Sequence, residues 1–283
     1  DFENRECARS LRGSRRHSGC IEVCSGEANE YFHRVVRILL LNFALRRMVD
    51  AYLTLRPPRW EAILIRERDP FGRALATLRV RLRAGAYGQG QPLAIVELAR
   101  ELDLSPTPVR EALSRLAGQG LVEDRRGRGY FSPRLEALDL AELYDLSAVH
   151  VRLALQGLDA VGRRRRSPDT VSARTVLETL GEDAASPDAL AGVYETLLEH
   201  IVLVAGNRTL LVQHRITSDR LGPARRVEPL VLGDVRAELA ELADRFDAAD
   251  WRGVDVAAQA ALARRREASA EIAAVLRERY LSI

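Results

Sequence analysis

Between positions 105 and 128 the chain sets hydroxyls, arginines and a glycine at spacings suited to a polyanion. Arg110 and Arg115 follow Ser105 and Thr107, and Arg125, Arg126, Gly127 and Arg128 form a compact basic cluster. A guanidinium is a planar fork of donors that matches guanine O6 and N7 and also pairs with phosphate. Serine and threonine hydroxyls contact phosphate oxygens. A glycine among arginines permits close approach to the minor groove, whose negative potential favours arginine. The chemistry these types share is nucleic-acid contact. For turnover the chain offers little. No Ser-His-Asp, Cys-His or paired-carboxylate arrangement stands out, and it reads as a non-enzyme.

Those side chains need elements to hold them. Leu93, Ile95, Val96, Leu98, Ala99 and Leu102 recur at helical spacing, which predicts an amphipathic helix. Leu104 to Pro108 break it, and a second helix is expected from Pro108 to about Gln119, burying Val109, Ala112, Leu113, Leu116 and Ala117. Ser105 or Thr107 is placed to cap that helix, because a side-chain oxygen there accepts an otherwise unpaired first-turn N–H. Gly118 and Gly120 end it, and two short strands are expected around residues 125–129. Upstream, Leu75, Leu78 and Leu82 predict a first helix over residues 70–85, followed by a Gly/Pro loop whose glycines read as plain turns. Helix, helix, turn, helix and basic hairpin make a winged helix-turn-helix, with the last helix in the major groove and the wing beside it.

Leu98-Ala99, the run Ser105 to Leu113, Leu116-Ala117, Gly120-Leu121-Val122 and the Gly127–Tyr130 wing resemble the GntR family of bacterial transcription regulators. The resemblance covers roughly sixty residues. In its FadR-like branch, Arg110 and the wing pair Arg126-Gly127 fall where DNA-contacting residues occur. Many members have Ser-Arg-Thr-Pro where this chain has Ser105-Pro106-Thr107-Pro108, so one arginine contact is absent and the operator sequence does not carry over. The resemblance implies a double-stranded DNA operator, pseudo-palindromic and bound by a homodimer that acts as a repressor.

The charge distribution agrees. The chain has no lysine, so all 43 basic residues are arginine. Residues 73–134 carry about five more basic than acidic side chains, and the stretch from Glu136 onward about five more acidic than basic. A basic reader joined to an acidic sensor or partner domain shows that asymmetry. The only cysteines, Cys7, Cys20 and Cys24, lie in the first two dozen residues at spacings poor for zinc and odd in number for a disulfide framework. The apolar run from Ile38 to Leu45 is too short to span a bilayer, so no membrane partner is expected and the location is read as cytoplasmic.

Three parts follow: residues 1–68 as an extension of uncertain structure, 69–133 as the winged domain, and 134–283 as an all-helical effector-binding and dimerisation domain. The first part includes a helical pattern over 31–55; it reads as an upstream reading-frame run-on, with a DNA-binding arm, resting on its arginines, as the alternative. In the third, a long amphipathic pattern from Glu136 resembles the linker helix of the FadR-like branch, with Ser147 and Val151 where an arginine and a glutamate are usual. Arg163 to Arg166 read as a solvated helix end. Further helices are expected at about 169–180, 187–205, 207–221, 229–247 and 252–280, with Gly206-Asn207 and Asp250-Trp251 matching helix-end signatures of that branch. Many of its members hold a divalent metal with an Asp, a His four residues later and two more His. Here those places fall on Tyr194, Leu198 and near Leu239 and Ala261, none of them a ligand, and His200 and His214 read as neutral surface or helix-end residues. No metal and no cofactor are expected. An effector, carboxylate or acyl in type, would bind in this half; the alternative is a ligand-blind protein whose bundle only dimerises. The fold class is mainly α: a winged helix-turn-helix of three helices and a two-stranded wing, joined to an all-α C-terminal bundle.

Overall fold

The computed structural model describes residues 69–161 and 186–281. The readings for residues 1–68, the block 163–166 and the helix at 169–180 lie outside the described residues.

Asp69 caps helix α1 (Pro70–Arg83) by accepting from the Phe71 N–H at 3.2 Å, and Pro70 stands in the first turn, where it loses no hydrogen bond. Ala74, Leu75, Leu78 and Leu82 form its buried stripe. Helices α2 (Ile95–Leu102) and α3 (Pro106–Ala117) follow. Asp103 ends α2 in the left-handed region at φ 52°, a conformation a short polar side chain tolerates. Val109, Ala112, Leu113 and Leu116 of α3 pack with α1, Leu98, Ala99, Leu121 and Val122 into one apolar cluster.

Two boundaries differ from expectation. Leu93 does not begin α2: its N–H is donated to the Tyr130 carbonyl at 2.8 Å, beside a bridge from Pro92 to Phe131. Pairing to the wing outcompetes the helical pattern there, and Val96, counted in the apolar stripe, is 72% exposed. Helix α3 starts at Pro106, two residues early, because both prolines fit its first turn. The wing is an antiparallel pair, β1 (Glu123–Arg125) with β2 (Gly129–Phe131), in the register Glu123↔Phe131 and Arg125↔Gly129.

The remaining described helices are α4 (Ala137–Val161), α5 (Pro187–Val204), α6 (Arg208–Arg225), α7 (Glu228–Leu232), α8 (Val235–Asp247), α9 (Trp251–Glu267) and α10 (Ser269–Leu281). Each of the last two expected helices is broken in two. Gly233, at φ 74°, ends α7, and Asp234 caps α8 by accepting from the Ala237 N–H at 3.1 Å. Between α9 and α10 the Ser269 hydroxyl turns back to the Arg265 carbonyl at 3.1 Å. Asn207 and Asp250 cap α6 and α9. A second apolar cluster, from Leu135 to Leu276, fills the space between these helices. None of the described helices is long and apolar enough to cross a membrane.

The two clusters lie in one compact unit, joined where α1 meets α6. Arg79 donates to Asp219 at 3.1 Å and to Gln119 at 2.7 Å. Arg83 donates through Nε to Glu195 at 2.8 Å and through Nη2 to the same oxygen. Gly222 of α6 permits the approach, since a Cβ there would stand 2.5 Å from the Arg83 carbonyl oxygen and 2.6 Å from its Cγ. Gly222→Ala is expected to lower the urea midpoint, with a cost of about 2 kcal/mol from overpacking against backbone. An unchanged midpoint would mean that the α1–α6 contact opens without cost.

Candidate nucleic-acid interface

Helix α3 buries one face completely, so its other face is fixed outward. Arg110, Glu111, Ser114 and Arg115 occupy that face and are exposed, as are Ser105 and Thr107 at the helix start. Among the described residues neither Arg110 nor Arg115 has a hydrogen bond or ion pair. Ser105 is the N-cap residue, yet its hydroxyl makes no capping bond and Thr107 lies within the first turn. The capping expectation is corrected on that point. Prolines at positions 106 and 108 carry no N–H, so fewer first-turn donors require a cap, and both hydroxyls are left for an outside acceptor. The α3 face borders an open cleft of about 920 Å³, walled also by Arg79, Tyr130 and the α6 residues Val212, Arg215 and Ile216.

The wing divides its arginines. Arg125 donates to Glu123 at 2.9 Å and 2.6 Å and lies 4.2 Å over the Phe131 ring. It braces the hairpin. Arg126 and Arg128 at the tip are exposed and have no partner among the described residues, and between them Gly127 takes φ 72°, a left-handed turn that glycine adopts freely. The structure therefore brings Ser105, Thr107, Arg110, Arg115, Arg126, Gly127 and Arg128 to the surface and leaves Arg125 engaged.

The bundle interior holds polar groups that pattern reading missed. Arg225, Arg265, Glu195, Glu228, Tyr144, Tyr194, Ser147 and His214 are all buried. Arg265 donates to Glu228 at 2.7 Å, Tyr144 donates to the other Glu228 oxygen at 2.8 Å, and the Arg265 guanidinium lies 4.2 Å over the Tyr194 ring. Burial, with lesser opposing charges, pushes the Tyr194 hydroxyl up to about 12. His214, expected at a surface or helix end, is fully buried, its ring 6.0 Å from that of His150. Burial first, then the charges of Arg225, His150 and Arg215, bring it down to about 3. The donor set does not fit a divalent metal: Tyr194, Leu198, Leu239 and Ala261, the positions the resemblance points to, are buried and supply no carboxylate or imidazole, and a cation beside Arg225 would meet repulsion. One signal was available in sequence. Glu195 interrupts the apolar run of α5, and a carboxylate among core residues needs a partner.

Residues 72–131 match the family described as bacterial regulatory proteins, gntR family. The nta operon transcriptional regulator of Aminobacter aminovorans is 42% identical over 74 residues, 25% of this chain and 35% of that protein. The protein named Probable D-xylose utilization operon transcriptional repressor, from Paenarthrobacter nicotinovorans, is 33% identical over 132 residues, 45% of this chain and 55% of that one. The matched segment thus spans from about a third to just over half of these curated relatives, which are named as transcription regulators and not as enzymes. The solved structure of a GntR transcriptional regulator from Rhodococcus sp. RHA1 superposes with a TM-score of 0.57 at 21% identity, over 71% of this chain and 96% of that one. That likeness concerns the fold.

A pH dependence follows from His214. Its folded value of about 3 lies below the ordinary value near 6.5, so the unfolded chain takes up the proton first as pH falls. Stability from this group is therefore lost on acidification below about pH 6.5. His214→Gln is expected to lose less melting temperature than the wild type between about pH 7 and pH 4. Equal losses would contradict the assignment of a buried neutral imidazole.

Proposed function

We propose that this chain, whose residues 72–131 form a winged helix-turn-helix of the GntR family, is a DNA-binding transcription regulator with its reading surface on α3 and the wing tip. The observation that carries the reading is the exposure of Arg110, with no partner among the described residues, on a helix whose opposite face is buried. A recognition helix enters the major groove by its N-terminal part, and Arg110 lies just over one turn in, where its fork reaches guanine O6 and N7. Ser105 and Thr107 offer hydroxyls to phosphate, Arg115 contacts phosphate further along, and Arg126, Gly127 and Arg128 approach the minor groove.

In this reading residues 69–133 are the DNA-binding unit and 134–283 a FadR-like unit that dimerises and senses a small molecule. The exposed row Leu146, Val149 and Leu153 along α4 supports self-association through a second copy, and a two-fold dimer would read a pseudo-palindromic operator as a repressor. The relatives' named operons, nta and D-xylose utilization, suggest control of catabolic genes without fixing which. The protein acts in the cytoplasm in this account.

Arg110→Ala is expected to weaken binding to the chain's own upstream DNA by about 10- to 100-fold and to relax base preference at one position per half-site. Arg128→Ala should weaken all sequences alike and reduce the salt slope by about one. Arg125→Ala should act mainly through wing stability. Gel-shift titrations at two salt concentrations check all three, and binding that is weak, unselective and unchanged by Arg110→Ala would remove the recognition-helix assignment.

A further inference from the structure

Helix α6 turns one stripe toward the winged half. Val212, Arg215, Ile216, Asp219 and Gly222 recur at spacings of three and four, so they share one face of the helix. Part of that stripe is docked: Asp219 accepts from Arg79 at 3.1 Å, Gly222 lies against the Arg83 backbone, and Ile216 packs on the apolar cluster of the winged half. Arg215 and Val212 continue the stripe past these contacts. They wall the cleft of about 920 Å³ that is also lined by Arg110, Glu111, Ser114 and Arg115 of α3. The cleft is rich in donors. Arg79, Arg110, Arg115 and Arg215 bring four guanidiniums, Ser114 brings a hydroxyl, and Gln119, whose carbonyl oxygen accepts from Arg79 at 2.7 Å, brings an amide NH2. Glu111 is the one carboxylate among the described residues that line it. Arg215 is held in place: Nε and Nη2 donate to one Glu199 oxygen at 2.9 Å and 2.7 Å. Its Nη1 has no hydrogen bond among the described residues, and the side chain is 30% exposed.

A wall of donors calls for an occupant made of acceptors. A sugar–phosphate strand supplies them at every residue, and its deoxyribose edges suit the apolar side chains of Phe71, Tyr130, Val212 and Ile216 in the same cleft. A polypeptide segment would set its own N–H groups against these donors. We infer that the cleft receives one backbone strand of the duplex, and that Arg215 of α6 contacts a phosphate there, so the C-terminal bundle takes part in DNA binding directly. The inference rests on the reading of α3 as the recognition helix. A helix in the major groove is flanked by the strands that border the groove, and phosphate contacts from its neighbours set its register. Here the flanking wall is α6, fixed on α1 through Asp219 and Gly222, so the distance between Arg215 and the reading face is set before DNA arrives. Glu199 already orders the Arg215 side chain, which lowers the entropy lost when a phosphate is bound.

The test uses the full chain and duplex DNA from its own upstream region, titrated over a series of salt concentrations. Arg215→Gln is expected to reduce the slope of log affinity against log salt by about one for each bound chain while leaving base preference unchanged. Arg215→Lys, which keeps the charge, should restore most of the slope. Glu199→Gln removes the carboxylate beside the same guanidinium and should strengthen binding, and it carries the test if Arg215→Gln does not melt cooperatively. Duplexes with single methylphosphonate linkages then locate the contact. At one linkage per half-site the wild type should lose affinity, and Arg215→Gln should lose no more than it already has. An unchanged slope in Arg215→Gln, or an equal further loss in that variant at every linkage, overturns the contact. If the slope stays unchanged while Arg110→Ala still loses base preference, α6 stands outside the DNA interface and the recognition-helix reading survives. If the wild type itself binds without selectivity, that reading fails first.

Discussion

Two buried carboxylates, Glu195 of α5 and Asp219 of α6, each paired with an arginine of α1, constrain everything else. Glu195 and Asp219 are 2% and 8% exposed, and each finds its counter-charge on the winged side, in Arg83 and Arg79. Burying a carboxylate is affordable only with such partners, and removing one partner of a buried pair costs about 3–5 kcal/mol, somewhat less here because the arginines keep about a third of their surface in water. Gly222 lets the backbones close to the distance these bonds require. Helix α3 is thereby tied, through α1, to a bundle whose own interior is charged.

From that joint the chain of causes runs in both directions. On the winged side, α1 packs on α3 and buries Val109, Ala112, Leu113 and Leu116, which leaves Arg110 and Arg115 exposed and without a partner among the described residues. Arg125 pairs with Glu123 and lies over the Phe131 ring across the hairpin, while the tip arginines have no partner among the described residues. Toward the interior, Glu195 lies 3.8 Å from Arg225, in a bundle that also buries Arg265, Tyr194 and His214.

How much of this was legible in the sequence depended on periodicity. The α3 stripe, the α1 stripe and the wing glycines have local patterns, and their residues fell where the spacing put them. The start of α2 was not legible, because Leu93 is claimed by a hydrogen bond to Tyr130, thirty-seven positions away. The breaks at Gly233 and Ala268 were hidden inside long helical patterns, one set by a positive φ and one by a side-chain bond to backbone. Arg125 could not be told from Arg126 and Arg128 without knowing that strand pairing sets it over Phe131. The buried charges were the least readable: Arg225 sits in the pair Arg225-Arg226, which looks like a solvated helix end until α5 and α6 are packed together.

The most direct test of the account is selection by the full chain from a pool of random-sequence duplex DNA, followed by footprinting of the enriched sequence. The account predicts a two-fold symmetric sequence, with half-site centres about one helical turn apart or a multiple of that, major-groove protection at each half-site and minor-groove protection beside it from the wing. A folded protein that enriches no sequence above the starting pool would contradict it.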